Sequence, residues 1–386
     1  MNLFSNNYDK LKEQILALRS NLVKCNKPGE YHMVYSSYLQ LCDIYKHLTG
    51  EDLYDLNPAV KEYLTNLSAI QAKSDSVSFY SQFFDCRAIS YELFKRGLDG
   101  FDKLDLSITD NQDTFSSFSG EQEVFELLHS FLSAEFPEAI PVLLELMSSG
   151  SIFLTGENWK IPVDSCFFNF NDNVGNIFLR GPIRNIEDLA SFVHELGHIV
   201  DCRKMSEQTD DICSGTKVFY GLDSEVVSSY YEMRFLEHCI KNDVYKDDAC
   251  RVAITSIGSA LFHLSNGCYL SMADENEYAM LKKGDITMAD YIDRISQRTG
   301  DTTVDAFDGG FYDYKINHPE TIKYSYGIVL GFTLTDGDYI ESFMRNRSES
   351  DFSNRLVLSE ITPDLIFKEA DKKVKMLEQS LGVNTL

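Results

Sequence analysis

The stretch that most restricts the fold runs from Asn185 to Val200. Asn185 can cap a helix, and Glu187 and Asp188 place negative charge in its first turn, where the helix dipole favours it. Leu189, Val193, Leu196 and Val200 follow at i, i+4, i+7 and i+11, a stripe that must face a core. His194 and His198 are four residues apart on another face, so their side chains project side by side. Two imidazoles so spaced can hold one tetrahedral zinc, and Glu195, beside the first, can reach a metal-activated water as general base. The segment predicts an amphipathic helix packed on an apolar layer and carrying His194, Glu195 and His198 as a candidate site.

The rest of the chain supplies that layer. Just upstream, Cys166–Phe170 and Asn176–Arg180 flank a polar stretch ending in Gly175, the spacing of a β-hairpin and the one clear β signal. Helical spacing dominates elsewhere. Leu11, Ile15, Leu18 and Leu22 mark one helix, Tyr31–Leu48 a second ended by Gly50, and residues 59–98 a further helical region. Helical pattern resumes over 121–147, broken at Pro137 and Pro141, and dominates after Pro182 apart from an aromatic, Gly-containing stretch around 305–318. Lys103–Gly120 is rich in Ser, Asp and Thr and reads as a linker. The expectation is a mainly α fold with a small sheet beside the histidine helix. An N-terminal helical lobe over residues 1–115 would precede a catalytic domain over 116–386.

Two histidines do not complete a zinc site. A third histidine in the same helix run would need Gly at 201 and His at 204, but Asp201 and Lys204 stand there. A glutamate from the next helix is the alternative. After a polar run from Ser206 to Lys217, Asp223–Glu232 begins a helical pattern, and Glu225 lies 27 residues beyond His198, room for a loop and an antiparallel return. Glu225 is the candidate third ligand. Glu232 shares its face two turns on and suits a carboxylate that orients a ligand histidine, as does Asp201, three residues past His198. His238 reads as an ordinary core or surface histidine.

His194-Glu195-Leu196-Gly197-His198, followed by Ser224-Glu225-Val226-Val227-Ser228-Ser229 and then Glu232, resembles the thimet oligopeptidase and oligoendopeptidase F family of zinc peptidases. The resemblance spans roughly residues 140–345 and implies a two-lobed, zincin-type helical fold holding one Zn2+ per chain. In that family the second segment supplies the third zinc ligand. His318 through Tyr326 and Gly327 is similar to the family's His-then-Tyr segment, which implies that His318 and one or both of Tyr324 and Tyr326 stabilise the oxyanion. Ile177, Phe178, Leu179 and Arg180 resemble its edge strand, which would pair with substrate backbone as an added strand. The implied substrates are short peptides. The region before the metal helix is shorter than in full-length members, which implies a reduced roof over the cleft, and many members have a histidine where Asp201 stands.

Charge narrows the partners further. A formal net charge of −25 opposes nucleic acid and an anionic membrane surface, since both require clustered Lys and Arg. Nine scattered cysteines without a C-x-x-C pair argue against a disulfide framework and for reduced, buried thiols. No signal peptide is evident at Met1–Asn7 and no run has the length of a membrane span, so the chain reads as cytoplasmic. The residues alone leave open a hydrolase of another amide or of blocked peptides, and a catalytically silent peptide-binding relative.

Overall fold

A computed structural model describes residues 6–22, 28–66, 115–156, 164–169, 173–208, 223–271, short stretches between 276 and 297, 322–334, 337–346 and 352–382. Within them the chain is mostly helical, with one three-stranded sheet. No helix among the described residues is long and apolar enough to cross a membrane.

The first periodic segment forms α1 (Tyr8–Leu22), which buries Leu11, Ile15, Leu18 and Leu22, and it packs on α2 (Pro28–Thr49). Residues 58–66 are helical. Helix α3 (Glu121–Glu135) runs into a 3-10 turn at Pro137–Ala139 and then α4 (Ile140–Ser149), so the prolines start new helical pieces as their missing N–H groups require. Gly150, at φ 68°, closes α4 in the left-handed conformation.

Strand β1 (Ile152–Leu154) follows, then β2 (Ser165–Asn169) and β3 (Val174–Leu179), in the sheet order β1-β3-β2. Strands β2 and β3 are antiparallel, with Cys166 opposite Ile177 and Asn169 opposite Val174, the arrangement the hairpin spacing predicts. Strand β1 pairs with β3 in parallel, Ile152 opposite Ile177. It has no counterpart in the sequence reading, because three apolar residues show no period.

Alternation along β3 gives the sheet two working faces. Phe153, Phe167 and Phe178 join one buried cluster with α1, α2 and Leu64, and Asn176 donates to Gln14 of α1 at 2.7 Å. On the opposite face lies α5 (Ile186–Gln208), which packs on β2 and β3. A Cβ on Gly175 would come 2.7 Å from Cγ2 of Ile199, so only glycine lets helix and strand approach this closely.

Helices α6 (Val226–Lys241) and α7 (Lys246–Ser271) follow. Beyond them come α8 (Ile322–Thr333), α9 (Gly337–Arg345), α10 (Phe352–Leu358) and α11 (Pro363–Leu381). Helix α11 is capped at both ends: Thr362 Oγ1 accepts from Leu365 N at 3.2 Å, and Gly382 ends it at φ 68°.

The chain forms two compact units. One comprises Met1–Ser74, Gln112–Lys217 and Tyr231–Val252; the other Asp75–Asn111, Val218–Tyr230 and Ala253–Leu386. Most of the linker behind the expected division at residue 115 lies outside the described residues. The N-terminal helices share a core with the sheet and belong to the unit of the histidine helix. Cys42, Cys239 and Cys250 are buried thiols, and burial pushes the Cys239 thiol up to about 12.

Candidate metal centre

The histidine helix is fixed before its first turn. Asn185 accepts from Asp188 N through its side chain at 3.0 Å and from Leu189 N through its carbonyl at 3.1 Å, so it is the N-cap. Asp188 in turn accepts from Arg184 N at 2.8 Å. One turn on, Ser191 Oγ donates to Asp164 Oδ2 at 2.7 Å, while Asp164 Oδ1 accepts from Arg180 N at 2.7 Å. The Asp164 carboxylate thus ties the helix to the end of β3. Leu189, Val193, Leu196 and Val200 are buried along the stripe, which holds the rotation of α5.

That rotation puts the His194 and His198 rings edge to face, 4.9 Å between centroids at 79°. Glu195, about 100° around the helix from His194, is buried at 8% exposure. Asp201 is buried further along α5. From α6, Glu232 Oε2 lies 2.9 Å from Nδ1 of His194, and both side chains are largely shielded from solvent. A carboxylate there makes Nδ1 the protonated nitrogen and leaves Nε2 the ligand atom.

Glu225 occupies the N-cap position of α6, its carbonyl accepting from Ser229 N at 3.0 Å. Its side chain is 3% exposed, and Lys323 of α8 places Nζ 2.8 Å from its Oε1. Four residues along α8 is Gly327, where a Cβ would stand 2.7 Å from both the carbonyl carbon and oxygen of Glu225 and closer still to its Cβ. Four further is Gly331, where a Cβ would stand 2.6 Å from Tyr230 N. Lys323, Gly327 and Gly331 therefore form one face of α8 laid against the start of α6. Two residues before Glu225, Asp223 pairs with the buried Arg355, which also donates to the Phe343 carbonyl at 3.2 Å and lies over the Phe343 ring.

His194, His198 and Glu225 each offer one ligand atom, and these lie within 4.8 Å of one another. The separation along α6 explains how. Glu225 and Glu232 are seven residues apart on one continuous stretch of chain, about two helical turns. The hydrogen bond from His194 to Glu232 fixes where those turns begin and end. Two imidazoles and a carboxylate are a zinc-type donor set.

The other expected site residues fall differently. Ile177, Phe178 and Leu179 do not form an exposed edge: β3 is the middle strand, its backbone paired on both sides by β1 and β2, and the three side chains are buried. An added substrate strand has no free edge there, and Arg180 is the first exposed position beyond it. Tyr326, on α8, is 1% exposed and packs edge-on against Phe352 at 5.6 Å. Tyr324 lies in the same helix with its side chain outside the described residues, and His318 lies outside them entirely. His238 is a core histidine packed edge-on against Phe131 at 5.7 Å. Lys323, Gly327 and Asp164 were not singled out in the sequence; for the first two the available signal was the i, i+4, i+8 spacing ending at Gly331.

No family model, curated protein or solved structure matches the chain.

Proposed function

We propose that this chain is a zinc-dependent metallopeptidase of the two-lobed zincin type, acting on short peptides. The observation that carries the reading is the convergence of His194, His198 and Glu225 to within 4.8 Å, with a buried glutamate immediately beside the first histidine. The resemblance of these segments to the thimet oligopeptidase and oligoendopeptidase F family points the same way.

The residues would divide the work as follows. His194, through Nε2, His198 and Glu225 hold the metal, and Glu232 keeps the His194 ring in orientation through Nδ1. Zinc bound there would supply a Lewis acid that polarises a peptide carbonyl and acidifies water. The Glu195 carboxylate takes the proton of the attacking water and delivers it to the amide nitrogen that leaves. By the resemblance, His318, Tyr324 or Tyr326 supplies the hydrogen bond that offsets charge on the carbonyl oxygen.

The test is metal analysis together with cleavage of a quenched peptide library, on wild type, Glu195→Gln and Glu225→Ala. Wild type should carry about one zinc per chain. Glu195→Gln should keep the zinc and lose activity by about 10²–10⁴-fold, while Glu225→Ala should lose both. A wild type that purifies and reconstitutes without zinc overturns the reading, as does unchanged cleavage by Glu195→Gln.

A further inference from the structure

The peptidase reading assigns no task to Lys323, which pairs with the candidate ligand Glu225. It is a cation placed where a cation is to bind. Its Nζ lies 2.8 Å from Oε1 of Glu225, with only 15% of the lysine side chain and 3% of the glutamate exposed. This is not a flexible surface pair. Lys323 stands one turn before Gly327, whose missing Cβ lets α8 meet the Glu225 backbone directly, and Gly331 repeats the contact one turn later at Ser229 and Tyr230. Backbone packing therefore sets where the lysine begins, and the ion pair sets where it ends.

We propose that Lys323 is a positioning residue for the metal ligand Glu225, engaging Oε1 so that the carboxylate presents a metal with its other oxygen alone. This inference rests on the metal-centre reading above. Carboxylates bind metals through one oxygen or both, and a charge-assisted bond to one of them selects the first mode. Two consequences follow from that geometry. A metal held by two imidazoles and one carboxylate oxygen retains an open position for water or substrate. The carboxylate, sharing its charge with the ammonium, is also a weaker donor, so the metal stays more electron-deficient at some cost in affinity.

A lysine that merely neutralises a buried glutamate makes a different forecast. Its removal would also end the repulsion of the metal, and so tighten binding, but would leave the coordination mode as it was. The positioning role requires a changed coordination number when the lysine is removed.

The experiment uses the full chain loaded with cobalt(II), whose visible bands distinguish four-coordinate from five-coordinate sites, together with cobalt affinity from competition with a chelating dye. Wild type and Lys323→Arg should show the intense bands of a four-coordinate ion. Lys323→Met should show the weaker bands of a five-coordinate ion and bind cobalt about tenfold more tightly, since the repulsion between ammonium and divalent ion is gone. Lys323→Gln keeps an N–H donor without the charge, so it should retain the wild-type bands and still bind more tightly. It also serves where the Met variant fails to fold. Wild-type bands in Lys323→Met overturn the proposal while leaving the metal centre intact; where that variant fails to fold, five-coordinate bands in Lys323→Gln do the same. A wild-type protein that takes up no cobalt overturns the metal-centre reading itself.

Discussion

Gly327→Ala is the sharpest probe of how the candidate centre is assembled. The added Cβ would stand 2.7 Å from the carbonyl carbon and oxygen of Glu225, where ordinary contact begins at about 3.5 Å. The overlap is therefore at least about 0.8 Å. The atoms it meets are backbone and Cβ, which have no rotamer to escape into, so α8 and the start of α6 must separate. Overpacking of this kind costs about 1–3 kcal/mol, against a gain of up to ~1 kcal/mol from replacing a helical glycine. The net loss of about 1–2 kcal/mol lowers Tm by roughly 2–8 °C for a unit of 150–250 residues. The effect on metal should be larger than this suggests. A shift approaching 1 Å is several times the ~0.2 Å tolerance of a metal–ligand distance, so zinc affinity should fall by at least about tenfold. Thermal unfolding and dye competition for zinc measure the two effects separately. Two controls separate packing from ligand geometry. Gly331→Ala meets Tyr230 N at 2.6 Å and should cost similar stability with a smaller loss of zinc affinity. Gly258→Ala, in α7 with nothing within 4 Å of its added Cβ, should leave affinity unchanged and raise Tm slightly. A Gly327→Ala protein with wild-type Tm and wild-type zinc affinity would refute the packing of α8 on Glu225.

Two further outcomes follow from single contacts. Glu232→Ala removes the acceptor 2.9 Å from His194 Nδ1 and should weaken zinc binding about 10–100-fold by dye competition; unchanged affinity would mean that the ring is oriented by something else. His238 has its pKa pushed below the ordinary 6.5, first by burial and then by the neighbouring Lys241 and Arg234, with Glu135 opposing. The unfolded chain then takes up the proton first, so stability present above pH 6.5 is lost as pH falls through that value towards the folded one. His238→Phe keeps the edge-on packing against Phe131 without the titration, and its Tm should decline less steeply than wild type below pH 6.5; parallel declines would refute the assignment.

Some of this architecture can be read from local pattern and some cannot, and the division is physical. The stripe of α5 and the run from Leu11 to Leu22 are each periodic over several turns, and a single periodic face has only one way to be buried. The hairpin was legible because two apolar runs flank a short polar stretch. Strand β1 was not, because Ile152-Phe153-Leu154 suits a buried strand or a helix turn equally. Without it, β3 reads as an edge strand, whereas in the sheet it lies between β1 and β2. The division at residue 115 rests on a related kind of signal. A polar linker announces a break in the chain, but only the contact of Phe153, Phe167 and Phe178 with α1 and α2 determines which pieces share a core.

At the centre itself, the residues that obey local rules are the ones the sequence yields, and those that break them mark where tertiary contacts take over. Asn185 caps α5 as its residue type predicts. Glu225 stands at the equivalent position of α6, yet glutamate is not a favoured cap, and its carboxylate is turned to Lys323 instead. The Oγ atoms of its neighbours Ser224 and Ser229 are buried without a hydrogen-bond partner among the described residues. Two groups from later in the chain meet this helix start: Arg355, buried against Asp223, and the glycine face of α8. They lie about 130 and 100 residues further along the chain, out of reach of any periodicity. A capping residue such as Asp or Ser at position 225 would satisfy the helix locally, but its shorter side chain would withdraw the carboxylate or remove it. A glutamate at the start of α6 thus places a carboxylate whose ligand atom lies within 4.8 Å of those of His194 and His198.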